Sequence, residues 1–134
     1  MDAQARFQVI SETWDAFNRD DFDAGLALCD SEVVIDRSNS IGPDAQIYRG
    51  HPGLEEFWSQ WKRAWAETRW EIDECIDNGD NVVVVGRLYA RGAASGASVE
   101  ANVSQVVVVR GGKVLSSKLF QSRSDALEAG GLSE

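Results

Sequence analysis

Apolar residues recur at helical spacing through most of the first half of the chain and at strand spacing through most of the second. From residue 3 to 19 the positions Phe7, Ile10, Trp14 and Phe17 share one face, opposite Asp, Glu and Arg, which predicts a first amphipathic helix. Asp20-Asp21 can cap a second, shorter helix carrying Phe22, Leu26 and Leu28, ending near Cys29. Residues 32–37 are short and β-branched, residues 38–45 with Gly42-Pro43 form a loop, and residues 46–48 form a second short strand. A third helix follows Gly50, with Leu54, Phe57, Trp58, Trp61 and Trp65 on one stripe. That stripe is too apolar for a solvated surface, so it faces a core or lines a cavity.

The second half reads as an antiparallel meander. Trp70, Ile72, Glu74 and Ile76 alternate with Glu71, Asp73, Cys75 and Asp77 in the strand predicted over residues 68–76, and Asn78-Gly79-Asp80-Asn81 makes a tight turn. Residues 82–91 and 99–109 are long strands, Gly111-Gly112 turns into a last strand over 113–120, and residues 125–132 hold a short helical pattern closed by Gly130-Gly131. If charge decides the faces, Arg87, Tyr89, Arg91, Glu100, Asn102 and Ser104 are solvated. Val84, Gly86, Leu88, Ala101, Val103, Gln105 and Val107 then face the helices. Gln105 becomes a polar group among apolar ones, and Val34 and Asp36 share a face in the first strand. Buried polar groups need a partner or a ligand, which singles these positions out.

Length and composition narrow the class. At 134 residues with 43% apolar content and five Trp, the chain (residues 1–134) is one globular domain, without repeat or linker. A formal net charge of -9 argues against nucleic acid or an anionic membrane as partner. Cys29 and Cys75 stand alone and His51 is the sole histidine, so no metal site is expected, nor any cofactor. The cysteines read as reduced thiols of a cytoplasmic protein, and the start, Met1 to Arg6, shows no signal segment.

The segment Tyr48-Arg49-Gly50-His51-Pro52-Gly53 before the aromatic helix, Asn78-Gly79-Asp80-Asn81-Val82, Gly111-Gly112-Lys113-Val114 and the closing Ala126-Leu127-Glu128-Ala129-Gly130-Gly131-Leu132 together resemble the SnoaL-like branch of the NTF2-like superfamily. The resemblance covers nearly the whole chain. It implies an α+β cone of three or four helices on a strongly curved mixed or antiparallel sheet that encloses a pocket. It also raises the expectation of a homodimer through the sheet, to which Val82, Val84, Val106 and Val108 would lend apolar surface. Such folds host enzymes, binding proteins and inactive scaffolds alike.

Ketosteroid isomerase, of the same superfamily, supplies a residue-by-residue comparison. Its base corresponds to Asp36, its oxyanion-holding acid to Gln105, and its tyrosine on the first helix has no counterpart, because Thr13 or Trp14 falls there. Asp36 in an apolar cavity would be a carboxylate basic enough to take a proton α to a carbonyl; at a strand end it would instead pair with Arg37 or a loop amide. Gln105 offers an amide N–H for an enolate oxygen, or else is a satisfied core amide. Tyr48 could present its phenol to a ligand or pack under the helix with its hydroxyl at the surface. His51 reads as a helix-start residue; Glu74 could be a second pocket carboxylate, yet a bulge near Cys75 would turn it outward, which is the favoured reading.

Trp14, Phe17, Phe57, Trp58, Trp61, Val103 and Phe120 are the expected walls for a small, flat hydrophobic molecule. Two functions follow from different classes. One is a cofactor-independent isomerase or related proton-transfer enzyme acting on a polyketide- or steroid-like carbonyl compound. The other is a non-catalytic module that binds a small molecule or a protein. Epoxide hydrolysis is disfavoured, since Arg87 and Arg91 fall on the solvated face.

Overall fold

The computed structural model describes residues 2–40 and 44–132; Met1 and the expected Gly42-Pro43 turn lie outside the described residues. In chain order the elements are α1 (Ala3–Asn18), α2 (Phe22–Ala27), β1 (Cys29–Asp36), β2 (Ile47–Arg49), α3 (Gly50–Ala64), β3 (Trp65–Asp77), β4 (Val82–Gly92), β5 (Ser98–Arg110), β6 (Lys113–Phe120) and α4 (Arg123–Ala129). The strands form one mixed sheet in the order β2-β1-β6-β5-β4-β3, in which only β1 and β6 pair in parallel. This is an α+β architecture, with helices packed on one mixed, unclosed sheet.

Local chemistry explains where the helices begin. The side chains of Asp2, Asp21 and Ser122 accept hydrogen bonds from the backbone N–H groups of Ala5, Ala24 and Asp125, satisfying amides that a helix start leaves free. The Ser122 cap starts α4 earlier than the expected residue 125. Before α3, Gly50 takes φ 69, a conformation costly for any residue with a Cβ. The helix ends at Ala64 rather than running through Trp65, because Trp65 pairs with Gly92 and opens β3. Trp65 still packs on Trp61, ring centroids 5.8 Å apart.

Two apolar clusters lie on opposite sides of the sheet. The larger unites Ile10, Val33, Leu54, Phe57, Trp61, Val82, Val84, Leu88, Val103, Val107 and Leu119, and fills the space between α1, α3 and the sheet. The smaller joins Val83 to Ala126 and Leu127, with Val106 and Phe120 packed against it, so α4 covers part of the far face. Several sequence expectations change here. Val82 and Val84 are fully buried in the main core and add no outward apolar surface. Ser104 is 1% exposed, because Val85 and Phe120 flank it in register on the face that α4 covers; among the described residues its hydroxyl has no hydrogen-bond partner. Ala101, near the sheet's edge beyond the helices, is exposed.

Two polar clasps fix α1 on the sheet. Asn18 donates from Nδ2 to the Trp70 carbonyl and accepts from the Trp70 N–H, both at 2.8 Å. Arg6 holds Asp77 with Nε–Oδ2 at 2.5 Å and Nη2–Oδ1 at 2.9 Å. The Arg6 hydrogen bond, against some opposing burial, keeps the Asp77 carboxyl below its ordinary value. A carboxylate with a depressed folded pKa stabilises the fold above its unfolded value, about 3.9, and that gain is lost as pH falls through the folded value. Asp77→Asn is therefore expected to melt lower than the unmodified protein at pH 7, with the gap closing below about pH 4. Thermal unfolding across pH checks this, and a gap independent of pH would contradict it.

A candidate ligand cavity between the helices and the sheet

Strand alternation sorts the residues at the closed end of the core. Ile35 pairs with Ser117 and Asp36 with Lys118, so Ile35 shares the helix-facing side with Ser117, and Asp36 shares the opposite side with Lys118. Val33, Ile35 and Arg37 thus form one inward row. In the neighbouring ladder Gln105 pairs with Leu119 and Val84, and Val107 with Ser117 and Val82, which continues the same face. Over this surface α1 brings Ile10, Thr13, Trp14 and Phe17, and α3 brings Leu54, Phe57 and Trp58. Gly86 permits the approach, since a Cβ there would meet the Trp14 ring at 3.1 Å.

These helix residues line, with Cys29, Trp70 and strand residues that include Ile35, Arg37, Gln105 and Ser117, a partly open cavity of about 100 Å3. Its aromatic wall is continuous: Phe17 and Trp58 lie 5.2 Å apart and Trp58 and Trp70 6.3 Å apart, centroid to centroid. An engineered apolar cavity of about 150 Å3 admits benzene, whereas sites for drug-sized ligands run to roughly 300–1,000 Å3. A ring entering here must displace a side chain, and Trp14 and Trp58 in the wall are half-buried.

Polar groups at the cavity are few. Ser117 donates from Oγ to Gln105 Oε1 at 2.6 Å, which leaves the Gln105 Nε2 without a hydrogen bond among the described residues. Thr13 donates to the Val9 carbonyl at 2.7 Å. Arg37, 8% exposed, donates from Nε to Asp44, and its guanidinium lies 5.1 Å from the Phe57 centroid and 5.4 Å from that of Trp61. Sequence reasoning missed Arg37. The signal was present in the alternation Val33, Ile35, Arg37, but its charge next to Asp36 read as a surface partner.

Asp36 borders the cavity, yet its carboxylate is engaged at Oδ1 by the Ser38 N–H at 3.0 Å and hydroxyl at 2.6 Å, with Lys118 Nζ 3.9 Å from Oδ2. Burial is the largest single influence on it and pushes its pKa up. The two Ser38 hydrogen bonds, Lys118 and Arg49 together outweigh burial, and the net shift is downward. The Cys29 thiol on the cavity wall is pushed up to about 11 by burial and is un-ionised at neutral pH.

Other expected site residues lie elsewhere. Tyr48 is buried beneath α3, with its hydroxyl donating to Gln60 Oε1 at 3.1 Å and accepting from Gln46 Nε2 at 2.9 Å, away from the cavity lining. Trp61 and Val103 sit in the core behind the wall, and Phe120 is on the far face with α4. His51 Nε2 is 2.9 Å from the Cys29 carbonyl oxygen. A bulge between Ile72 and Glu74 puts Glu74 on the far face, where it accepts from Arg123 Nε at 2.6 Å. Arg87 lies there too, paired with Asp73 at 2.9 Å. Among the described residues no group of His, Cys, Asp and Glu is arranged to hold a metal ion, and no helix is long and apolar enough to cross a membrane.

A family model described as SnoaL-like domain matches residues 10–117, and the chain belongs to that family. Solved structures agree in fold. An NTF2-like protein of unknown function from Burkholderia pseudomallei superposes with a TM-score of 0.79 at 21% identity, covering 92% of this chain and 95% of that one. TerC, co-crystallised with polyporic acid, gives 0.76 at 20% identity over 88% and 92% of the two chains. RV0760c from Mycobacterium tuberculosis, in complex with estradiol-17beta-hemisuccinate, gives 0.75 at 17% identity over 89% and 95%. A search of curated proteins by sequence finds no match.

Proposed function

We propose that the protein binds a small, flat, apolar molecule of about one ring in the cavity between α1, α3 and the sheet. The observation that carries this reading is the aromatic wall of Trp14, Phe17, Phe57, Trp58 and Trp70 facing a single free amide donor of Gln105 on the strands. That two structures of this fold are complexes with polyporic acid and with estradiol-17beta-hemisuccinate supports a ligand-holding use of the space.

Proton transfer is the second reading, favoured by one observation: Asp36 and Gln105 border the same cavity. Asp36 would take a proton α to a carbonyl and Gln105 would hold the enolate oxygen. The Ser38 hydrogen bonds weaken Asp36 as a base, and its strand position turns it toward Lys118, so binding is the stronger reading.

Phenylacetone tests both. Binding at a hundred times its dissociation constant is expected to stabilise the fold by about 2.7 kcal/mol, read as a rise in melting temperature. No rise at any soluble concentration, either with phenylacetone or with a carboxylate of the same shape, would sink the binding reading. Exchange of its α-protons with deuterated water, faster with the protein than without and abolished in Asp36→Asn, would establish the enzymatic one. Binding without accelerated exchange is the expected result.

A further inference from the structure

The free hydrogen-bonding groups around the cavity are unbalanced. Arg37 gives Nε to Asp44, and among the described residues neither of its Nη groups makes a hydrogen bond. The same holds for Gln105 Nε2, whose carbonyl partner atom is taken by Ser117. Both residues border the cavity. Of the carboxylate at the cavity's margin, Asp36 Oδ1 takes two bonds from Ser38 and Oδ2 lies 3.9 Å from Lys118 Nζ.

Register brings these donors to one level. Ile35 is opposite Ser117 and Asp36 opposite Lys118, so Arg37 falls beside Leu119, whose other neighbour is Gln105. The two donors flank Leu119 from adjacent strands, about 10 Å apart at the backbone, with side chains on the same face. Arg37 is held rather than free to swing out: it is 8% exposed, clamped by Asp44, and lies over the rings of Phe57 and Trp61. A buried guanidinium with unused N–H groups is a preformed seat for a planar anion.

We infer that the cavity selects a ligand with an anionic oxygen, a carboxylate or an acidic enol, seated on the free Nη groups of Arg37, with Gln105 Nε2 as second donor and the ring against Trp14 and Trp58. This deepens the binding reading above and rests on it. The ligand brings acceptors because the protein supplies donors, and it brings charge because one donor is a cation. Neutral molecules of the same shape fit the walls but leave the guanidinium as it is.

Phenylacetate and phenylacetamide have nearly the same shape and differ in charge, so their dissociation constants, read from titration of the tryptophan indole N–H resonances, separate the two claims. Phenylacetate is expected to bind about tenfold or more tightly than phenylacetamide. In Arg37→Met combined with Asp44→Asn, which removes both charges together, that preference is expected to vanish. In Arg37→Lys, which retains the charge but loses the fork, part of the preference should remain, and this variant serves if the double one fails to fold. Equal binding of the two probes to the unmodified protein, or a preference that survives without Arg37, overturns the anion seat and leaves the pocket standing. Failure of both probes to bind overturns the pocket reading as well.

Discussion

Trp61→Ala is expected to destabilise the fold by about 3–5 kcal/mol, the usual cost of emptying a buried aromatic site. Trp61 is 5% exposed, stacks on Trp70 at 5.2 Å and 25°, and meets Phe57 at 5.5 Å and Trp65 at 5.8 Å. It also lies under the Arg37 guanidinium. Its removal leaves a hole that α3 and β3 cannot both close, because each is tied to a different part of the molecule. For a domain of this size the melting temperature should fall by roughly 10–20 °C. Trp58→Ala, at the half-buried cavity wall, should cost clearly less. Equal losses for the two would mean that the core does not continue behind the wall.

Arg37→Met alone is the second large effect, again about 3–5 kcal/mol, and its cause is electrostatic rather than volumetric. The Arg37 and Asp44 side chains are 10% and 14% exposed. Taking away the guanidinium leaves the Asp44 carboxylate without its main counter-charge in a poorly solvated place, with Ser40 Oγ at 2.9 Å to bond it. Adding Asp44→Asn should restore most of the loss, because the orphaned charge goes too. Urea unfolding of the single and double variants measures the coupling directly. If the double variant is as unstable as the single one, Arg37 contributes by packing on Phe57 and Trp61 and not through the ion pair.

Much of this architecture was legible from periodicity. The aromatic stripe located α3, and alternation located β3 to β6, because both patterns report burial on one face. The parallel pairing of β1 with β6 was not legible, since it joins segments some eighty residues apart and leaves no local mark. The errors on the far face share one cause. Helix α4 folds back over Val83, Val106 and Phe120, so part of the sheet is buried on both sides. Ser104 and Phe120 fall in their expected places only if one face of the sheet is covered. The unbroken run Val82-Val83-Val84-Val85 carried the warning, since a strand buried on both faces loses its alternation.

The candidate site was half legible. The walls followed from the helical stripes, and Gln105 followed from its place among apolar neighbours. Arg37 did not, because sequence logic assigns charge to solvent, and here the guanidinium is retained by two aromatic faces and one carboxylate. A one-residue shift separates Arg37 from Asp36, and in a strand that shift decides which of two neighbouring charges faces the ligand space.

The most direct test of the central claim is a crystal structure of the protein grown with phenylacetate. The ring is expected between Trp14, Phe57 and Trp58, with one or both of those tryptophans turned to admit it and the carboxylate on Arg37. A cavity that stays closed and empty in such crystals, with the probe absent or bound only on the outer surface, would contradict the account.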